Sequence, residues 1–224
     1  MTKPLEKELL DQILKHPNAC SLVNEATALL KEEKKRRLAF YNDITDEEKV
    51  EFINGAIIVH SPVKKEHNVA NGFLYKLISI YVSKHKLGYV GIEKIMIALE
   101  RNDYEPDICF FSNEKAKDFK KGQSIFPAPD LIVEVLSKGT AKNDRTIKFK
   151  DYEANGVAEY IIIDPKKQLL ELYRISNSGT YELILKSSEG TLKSKVIKGF
   201  SIAIEAIFDE TKNLVELTRI LAGK

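Results

Sequence analysis

Residues 131–138 read LIVEVLSK, and the run from Leu131 to Leu136 is apolar except for Glu134 in its middle. A short Val-, Ile- and Leu-rich run of this kind is the pattern of a strand covered on both faces. An unpaired carboxylate buried there costs several kcal/mol or more, so Glu134 must have a cationic partner. The search for that partner fixes how the flanking segments are read.

Upstream, VEFINGAIIVHSP (50–62) sets two short apolar stretches around Asn54-Gly55, the strongest short-range hairpin signal. Ser61-Pro62 opens a helix expected to run to about residue 86, with Ala70, Phe73, Leu74, Leu77, Ile78 and Tyr81 on one face and Gly88 closing it. Strands are expected at 89–99, 104–111 and 130–136, with a basic, loop-like stretch, SNEKAKDFKKGQ (112–123), before the last. A second helix is expected over 141–155, ending at Asn155-Gly156, and AEYIIIDP (158–165) reads as a buried strand stopped by proline. Residues 168–207 alternate as a meander, and 211–222 reads as a short helix. Residues 1–38 read as polar helices with a narrow apolar stripe of Leu9, Leu10, Ile13 and Leu14, which fits a packing helix or a dimer contact. This order predicts an α/β fold, a mixed β-sheet core flanked by helices. It has a helical N-terminal extension over 1–44, a main domain over 45–224 and a C-terminal β-meander.

A chain of 224 residues with 43% hydrophobic and 30% charged residues is long enough for one good core. No run approaches the ~20 apolar residues of a membrane span, and MTKPLEKELL lacks a signal-peptide core, so a cytoplasmic location is expected. Cys20 and Cys109 lie far apart with no CxxC, which argues against structural zinc and for free thiols. The net charge of +2 does not by itself announce a nucleic-acid binder. Its distribution is more informative: KEEKKRR (31–37) and KGTAKNDRTIKFK (138–150) are basic runs, and the second follows directly on Glu134.

Three dipeptides offer carboxylates: Pro106-Asp107, Pro129-Asp130 and Asp164-Pro165. Asp130 shares a strand face with Glu134, but four residues at ~3.3 Å each separate them by roughly 13 Å. Two carboxylates sharing a cation need oxygens within about 2–2.5 Å of it, which excludes that pair. Asp107 meets Glu134 if 104–111 and 130–136 are neighbouring strands, because facing side chains sit ~5 Å apart. Paired carboxylates in an apolar setting call for a cation, and Mg²⁺ (or Mn²⁺), a hard ion that keeps waters for chemistry, suits them. A lysine beside them would offset charge on a phosphate in its transition state.

These residues carry a resemblance. Pro106-Asp107 followed by Glu134-Val135-Leu136 resembles the PD-(D/E)XK nuclease superfamily. The fuller pattern, EFING (51–55), Ser61-Pro62, Glu66-His67 and DRTIKFKDYEANGVAEYIIIDP (144–165), is similar to its Uma-two family of restriction endonucleases over about 45–205. The resemblance implies a restriction-endonuclease-like core and a metal-dependent endonuclease that hydrolyses DNA with metal-activated water. It implies Asp107 and Glu134 as metal ligands, with Glu51 a further candidate. The superfamily lysine, two residues after the glutamate, is Leu136 here. A substitute lies on the next helix, where Asp144, Lys148 and Tyr152 stack at intervals of four while Lys150 points about 200° away from Lys148. A lysine at the position of Lys148 resembles the family's migrated replacement. Superfamily members draw a further acidic group from the first core helix, which puts Glu66 or His67 at the site edge; Glu66, four before the buried Ala70, can point to the sheet. Cutting both strands of DNA implies a homodimer, with the N-terminal helices as its contact.

Structural alternatives accompany each residue. Asp107 can make a turn hydrogen bond, Glu134 a structural ion pair with Lys148, and Lys148 an i, i+4 pair with Asp144. Glu51 capping the hairpin outweighs ligation. Tyr152 and Tyr160 read as core with bonded hydroxyls, and Asp164-Pro165 as the end of a strand. His16, His60 and His85 have no partner visible in sequence. The second functional reading is a catalytically inactive nucleic-acid-binding or interaction protein of the same fold.

Overall fold

The structure, a computed structural model, describes residues 4–45 and 48–223. Residues 1–3, the start of the segment read for a leader, lie outside the described residues. Two helices, α1 (Pro4–Lys15) and α2 (Ala19–Asp43), precede the hairpin of β1 (Val50–Ile53) and β2 (Ala56–Val59). Its turn puts Asn54 at φ 49° and Gly55 at φ 81°, the left-handed pair that Asn-Gly adopts at least cost. Helix α3 (Lys65–His85) begins later than Ser61-Pro62 predicts. Just before Ser61, the His60 N–H donates to the Lys49 carbonyl and its ring lies 3.0 Å from Glu51.

Gly88 does not terminate α3; Lys86 does, at φ 53°. Gly88 instead begins β3 (Gly88–Ile92), where an added Cβ would sit 1.9 Å from the Phe111 carbonyl oxygen. The single strand expected over 89–99 is two, β3 and β4 (Met96–Ala98), separated at Glu93, a non-glycine residue at φ 58°. The strand expected over 104–111 is likewise split into β5 (Asp103–Tyr104) and β6 (Ile108–Ser112). The two breaks are level, since Glu93 N–H donates to the Asp107 carbonyl at 3.1 Å. Pairs β3–β6 and β4–β5 therefore form one long antiparallel hairpin bent from one sheet into another. The stretch expected as loop contains a short α4 (Asn113–Ala116), followed by β7 (Ile125–Phe126) and β8 (Leu131–Val135). The second helix is broken at Thr146 into α5 (Ala141–Arg145) and α6 (Ile147–Ala154). Then come β9 (Glu159–Asp164), β10 (Leu169–Ile175), β11 (Tyr181–Ser187), the small pair β12 (Thr191–Lys193) and β13 (Ser201–Ala203), and α7 (Glu210–Ala222).

The main sheet runs β11-β10-β9-β8-β6-β3, with β8 and β9 parallel and the other neighbours antiparallel. A second sheet runs β2-β1-β5-β4-β7. Of the expected meander, β10 and β11 extend the main sheet, and β12 with β13 stand apart. Strand β8 is buried at all five positions. Val133 and Val135 pack with Leu74, Leu77 and Ile78 of α3, whereas Ile132 packs with Tyr104, Tyr152 and Tyr160 on the opposite face. Alternation puts Glu134 on the Ile132 face, under α6.

The C-terminal half of α2 is fixed to this body. Arg37 pairs with Asp103 at 2.6 Å and donates to the Leu99 and Glu100 carbonyls; Phe40 is buried against Phe52. By contrast, Leu9, Leu10 and Leu14 of α1, and Leu22, Val23, Leu29 and Leu30 of α2, are exposed. Among the described residues, no helix is long and apolar enough to cross a membrane. Cys20 and Cys109 are free thiols.

Candidate active site

The adjacency of β6 and β8 decides whether the two acids meet. Their antiparallel register sets Ile108 opposite Val133, so the next facing pair is Asp107 and Glu134. Because β6 begins after Asp107, its side chain takes a backbone role: Oδ2 accepts the Val135 N–H at 2.8 Å. His67 Nε2 lies 3.3 Å from the same oxygen, and Lys49 Nζ lies 3.0 Å from Oδ1. Burial pushes the Asp107 carboxyl up, but His67, Lys49 and the Val135 amide together hold it well below the usual carboxylate range.

Glu134 finds its cation on α6. Lys148 Nζ lies 2.7 Å from Glu51 Oε1, 3.0 Å from Glu134 Oε1 and 3.4 Å from Asp144 Oδ1. Tyr152 O–H donates to Glu134 Oε1 at 2.9 Å, and the ammonium lies 5.6 Å from the Tyr104 ring centroid. Lys148 is 1% exposed. Burial disfavours its charge, yet Glu134, Glu51 and Asp144 raise its pKa well above the usual lysine value. The three acids thus favour its charged form. Three acids share it unequally. Burial pushes Glu134 up to about 8 against the pull of Lys148, with the negative Asp144, Asp107 and Glu51 adding to the shift. Asp144 is also raised, mainly by burial, against the pull of Lys148 and Thr140. For Glu51 burial is outweighed by Lys148 and His60, which bring it down to about 2.

The structure thus brings Asp107, Glu134, Lys148 and His67 together. Glu51 reaches the same cluster in a different capacity from either expectation. It does not cap the hairpin, and its oxygens are taken by Lys148, by the Glu105 amide at 3.1 Å and by His60. Glu66 does not join. The buried row of α3 includes His67, Asn71, Leu74 and Ile78, so Glu66, one residue earlier, faces solvent. The expected stack of Asp144, Lys148 and Tyr152 is present, all three buried, while Lys150 is exposed. Asp130 is structural, accepting the Ser112 N–H and pairing with Lys115, and Asp164 closes a turn through the Lys166 and Lys167 amides. Tyr160 donates to the Asp144 carbonyl from the core, as read.

Sequence reasoning missed Lys49, Glu93, Asn71, His60 and Glu105. Lys49 also lies 3.7 Å from Glu93 Oε2, and Asn71 Nδ2 donates to Glu93 Oε1 at 2.6 Å. Glu105 is buried, accepts the Val50 N–H at 3.0 Å and is raised to about 7 by burial. Only His60 carried a signal: it follows β2 in a hairpin whose opposite strand holds Glu51.

Glu51, Glu105, Asp107, Glu134 and Asp144 are buried carboxylates, set against the ammonium groups of Lys49 and Lys148. This excess of carboxyl over ammonium groups, with hard oxygen donors on facing strands, fits a divalent cation held by Asp107 and Glu134 and otherwise by water. Among the described residues, no three His, Cys, Asp or Glu side chains converge as a protein-only metal cage.

The chain is 26% identical over 164 residues to "Uncharacterized protein slr1290" of Synechocystis, covering 72% of this chain and 84% of that protein. It is 30% identical over 129 residues to "Uncharacterized protein sll1609" of the same organism, covering 57% and 72%. A crystal structure from Anabaena variabilis, described as "a putative nuclease belonging to DUF820", superposes with a TM-score of 0.65 at 20% identity, covering 75% of this chain and 94% of that one. At that identity the likeness establishes the fold, a mixed α/β fold with helices flanking the sheets. The family model for Uma2, "Putative restriction endonuclease", matches residues 34–205. That match spans most of the chain, both strands that carry the acids and the helix that carries Lys148, and by it the chain belongs to the Uma2 family.

Proposed function

We propose that this protein is a metal-dependent endonuclease that hydrolyses phosphodiester bonds of DNA. The observation that carries the reading is the register of β6 and β8, which sets Asp107, the residue before β6, one step beyond the Ile108–Val133 pair and so opposite Glu134, with the Lys148 ammonium 3.0 Å from Glu134. Asp107 and Glu134 would hold Mg²⁺ or Mn²⁺, which when bound would activate water and offset charge on the phosphate. Val135 N–H and His67 hold Oδ2 of the Asp107 carboxylate, which would leave Oδ1 for the ion. Lys148 keeps Glu134, Glu51 and Asp144 together as a fixed cation and shapes the field at the reacting phosphate. Lys138, Lys142 and Lys150 are exposed around this helix, as are Lys117, Lys120 and Lys121 on the preceding loop, and they neutralise the DNA backbone. Two-strand cleavage needs two such sites. A homodimer through the exposed leucines of α1 and α2 provides them.

The test is plasmid cleavage with Mg²⁺ or Mn²⁺ by the wild type, Asp107→Asn and Glu134→Gln. Nicked and linear product from the wild type, reduced at least about 100-fold in either variant, is expected. Equal cleavage by wild type and variants contradicts the reading. One observation favours the inactive alternative: the strand position that carries the superfamily lysine is Leu136. Metal binding at Glu134 with no cleavage of any DNA would select it.

A further inference from the structure

We propose that Lys49 is a tethered counter-ion that occupies the divalent-cation position on Asp107 in the metal-free protein, and that Glu93 receives its ammonium when the metal arrives. The inference rests on the reading of Asp107 and Glu134 as metal ligands and adds how that site is filled.

The argument begins with the two oxygens of Asp107. Oδ2 is committed to the Val135 amide and His67, both fixed by secondary structure. Oδ1 is the one left for a metal, and Lys49 Nζ sits on it at 3.0 Å. Glu134 draws on the same ammonium, so Lys49 lies in the field of both proposed ligands. A divalent ion and an ammonium cannot share that position; binding of one displaces the other.

The displaced group has a place to go. Glu93 Oε2 is already 3.7 Å from Lys49 Nζ. Its other oxygen is pinned by Asn71 at 2.6 Å, and its backbone N–H is tied to the Asp107 carbonyl. The Glu93 side chain is 44% exposed, against 5% for Asp107. Lys49 thus stands between a buried anion and a half-exposed one. Glu93 has a left-handed backbone, uncommon for a residue with a side chain, at the bend between β3 and β4. The four-carbon lysine stem allows the exchange without backbone movement, since the Lys49 carbonyl stays bonded to His60 N–H. Lys148 differs: it is held by three buried acids, so it stays when Lys49 leaves. One lysine is permanent and the other exchangeable.

Calorimetric titration of Mn²⁺ into the full chain tests this, with melting in EDTA and in Mn²⁺ as a second readout. Lys49→Met is expected to bind Mn²⁺ about tenfold more tightly than the wild type, because no resident cation opposes the ion. Its melting temperature in EDTA should fall and its gain on adding Mn²⁺ should grow. Glu93→Gln, a half-exposed position that leaves the core intact, should bind Mn²⁺ more weakly than the wild type, having lost the receiving anion. Equal or weaker binding by Lys49→Met, with Asp107→Asn alone abolishing it, overturns the inference and leaves the metal reading standing. Unchanged affinity in Glu93→Gln overturns the receiving role. If neither the wild type nor Lys49→Met binds Mn²⁺, both the inference and the metal reading fall.

Discussion

Lys148 shows how much one side chain can decide. Its ammonium is the shared partner of Glu51, Glu134 and Asp144. Removing one member of a buried charge group costs about 3–5 kcal/mol, because the remaining charges are left uncompensated. Lys148→Met is therefore expected to lower the melting temperature by about 10 °C as well as to abolish cleavage, both measurable on one preparation. Glu105 yields a pH prediction. Burial raises its carboxyl from an ordinary 4.5 to about 7, so between those values the folded chain binds a proton that the unfolded chain has released. That contribution to stability is lost as pH rises from about 4.5 to about 7. Glu105→Gln keeps an acceptor for the Val50 amide and cannot ionise. Its melting temperature should decline less than that of the wild type across this window; parallel declines would contradict the assignment. Asp107, Glu134 and Lys148 were legible in the sequence because a dipeptide, a lone acid in an apolar run and a spacing of four each leave a trace. Lys49 and Glu93 leave none, since neither interrupts a pattern and they meet only after the chain has bent twice.

Those bends belong to the element scale. Glu93-Lys94 and Glu105-Pro106-Asp107 interrupt the runs over 89–99 and 104–111, but apolar residues resume at once on the far side, so each run reads as one strand. The pairing partners change there: β3 with β6 in one sheet, β4 with β5 in the other. Periodicity reports which residues face a core, not how many sheets share it, so two strands were read where four exist. The helix over 141–155 was legible by the same periodicity, but its break at Thr146 was not, and Asp144 still comes within 3.4 Å of Lys148 across it. Gly88 was read as a helix stop when its role is close approach of β3 to β6. Gly88→Ala drives a Cβ into the Phe111 carbonyl and is expected to destabilise the protein by about 1–3 kcal/mol, read as a lower urea midpoint. A midpoint equal to wild type would mean that β3 can move away from β6 freely.

On the scale of the whole molecule, the order of elements was legible and the division into two sheets was not. The N-terminal helices show the same split between what a pattern reveals and what it leaves open. Their apolar stripe was plain in sequence, and the structure leaves it exposed, while Arg37, Phe40 and Tyr41 fix the far end of α2 to the body. The family match begins at residue 34, inside α2, so the exposed leucines lie outside it. The full chain carrying Leu9→Ser, Leu14→Ser and Leu29→Ser is expected to scatter light as a monomer of 25.4 kDa, where the wild type scatters as a dimer. Identical masses would remove these helices from the dimer contact.

The central claim is that Asp107 and Glu134 converge on one divalent ion. Anomalous diffraction from crystals soaked in Mn²⁺ tests it most directly. The account predicts one peak within about 2–2.5 Å of an oxygen from each carboxylate. A peak bound elsewhere, or none between these two side chains, would contradict it.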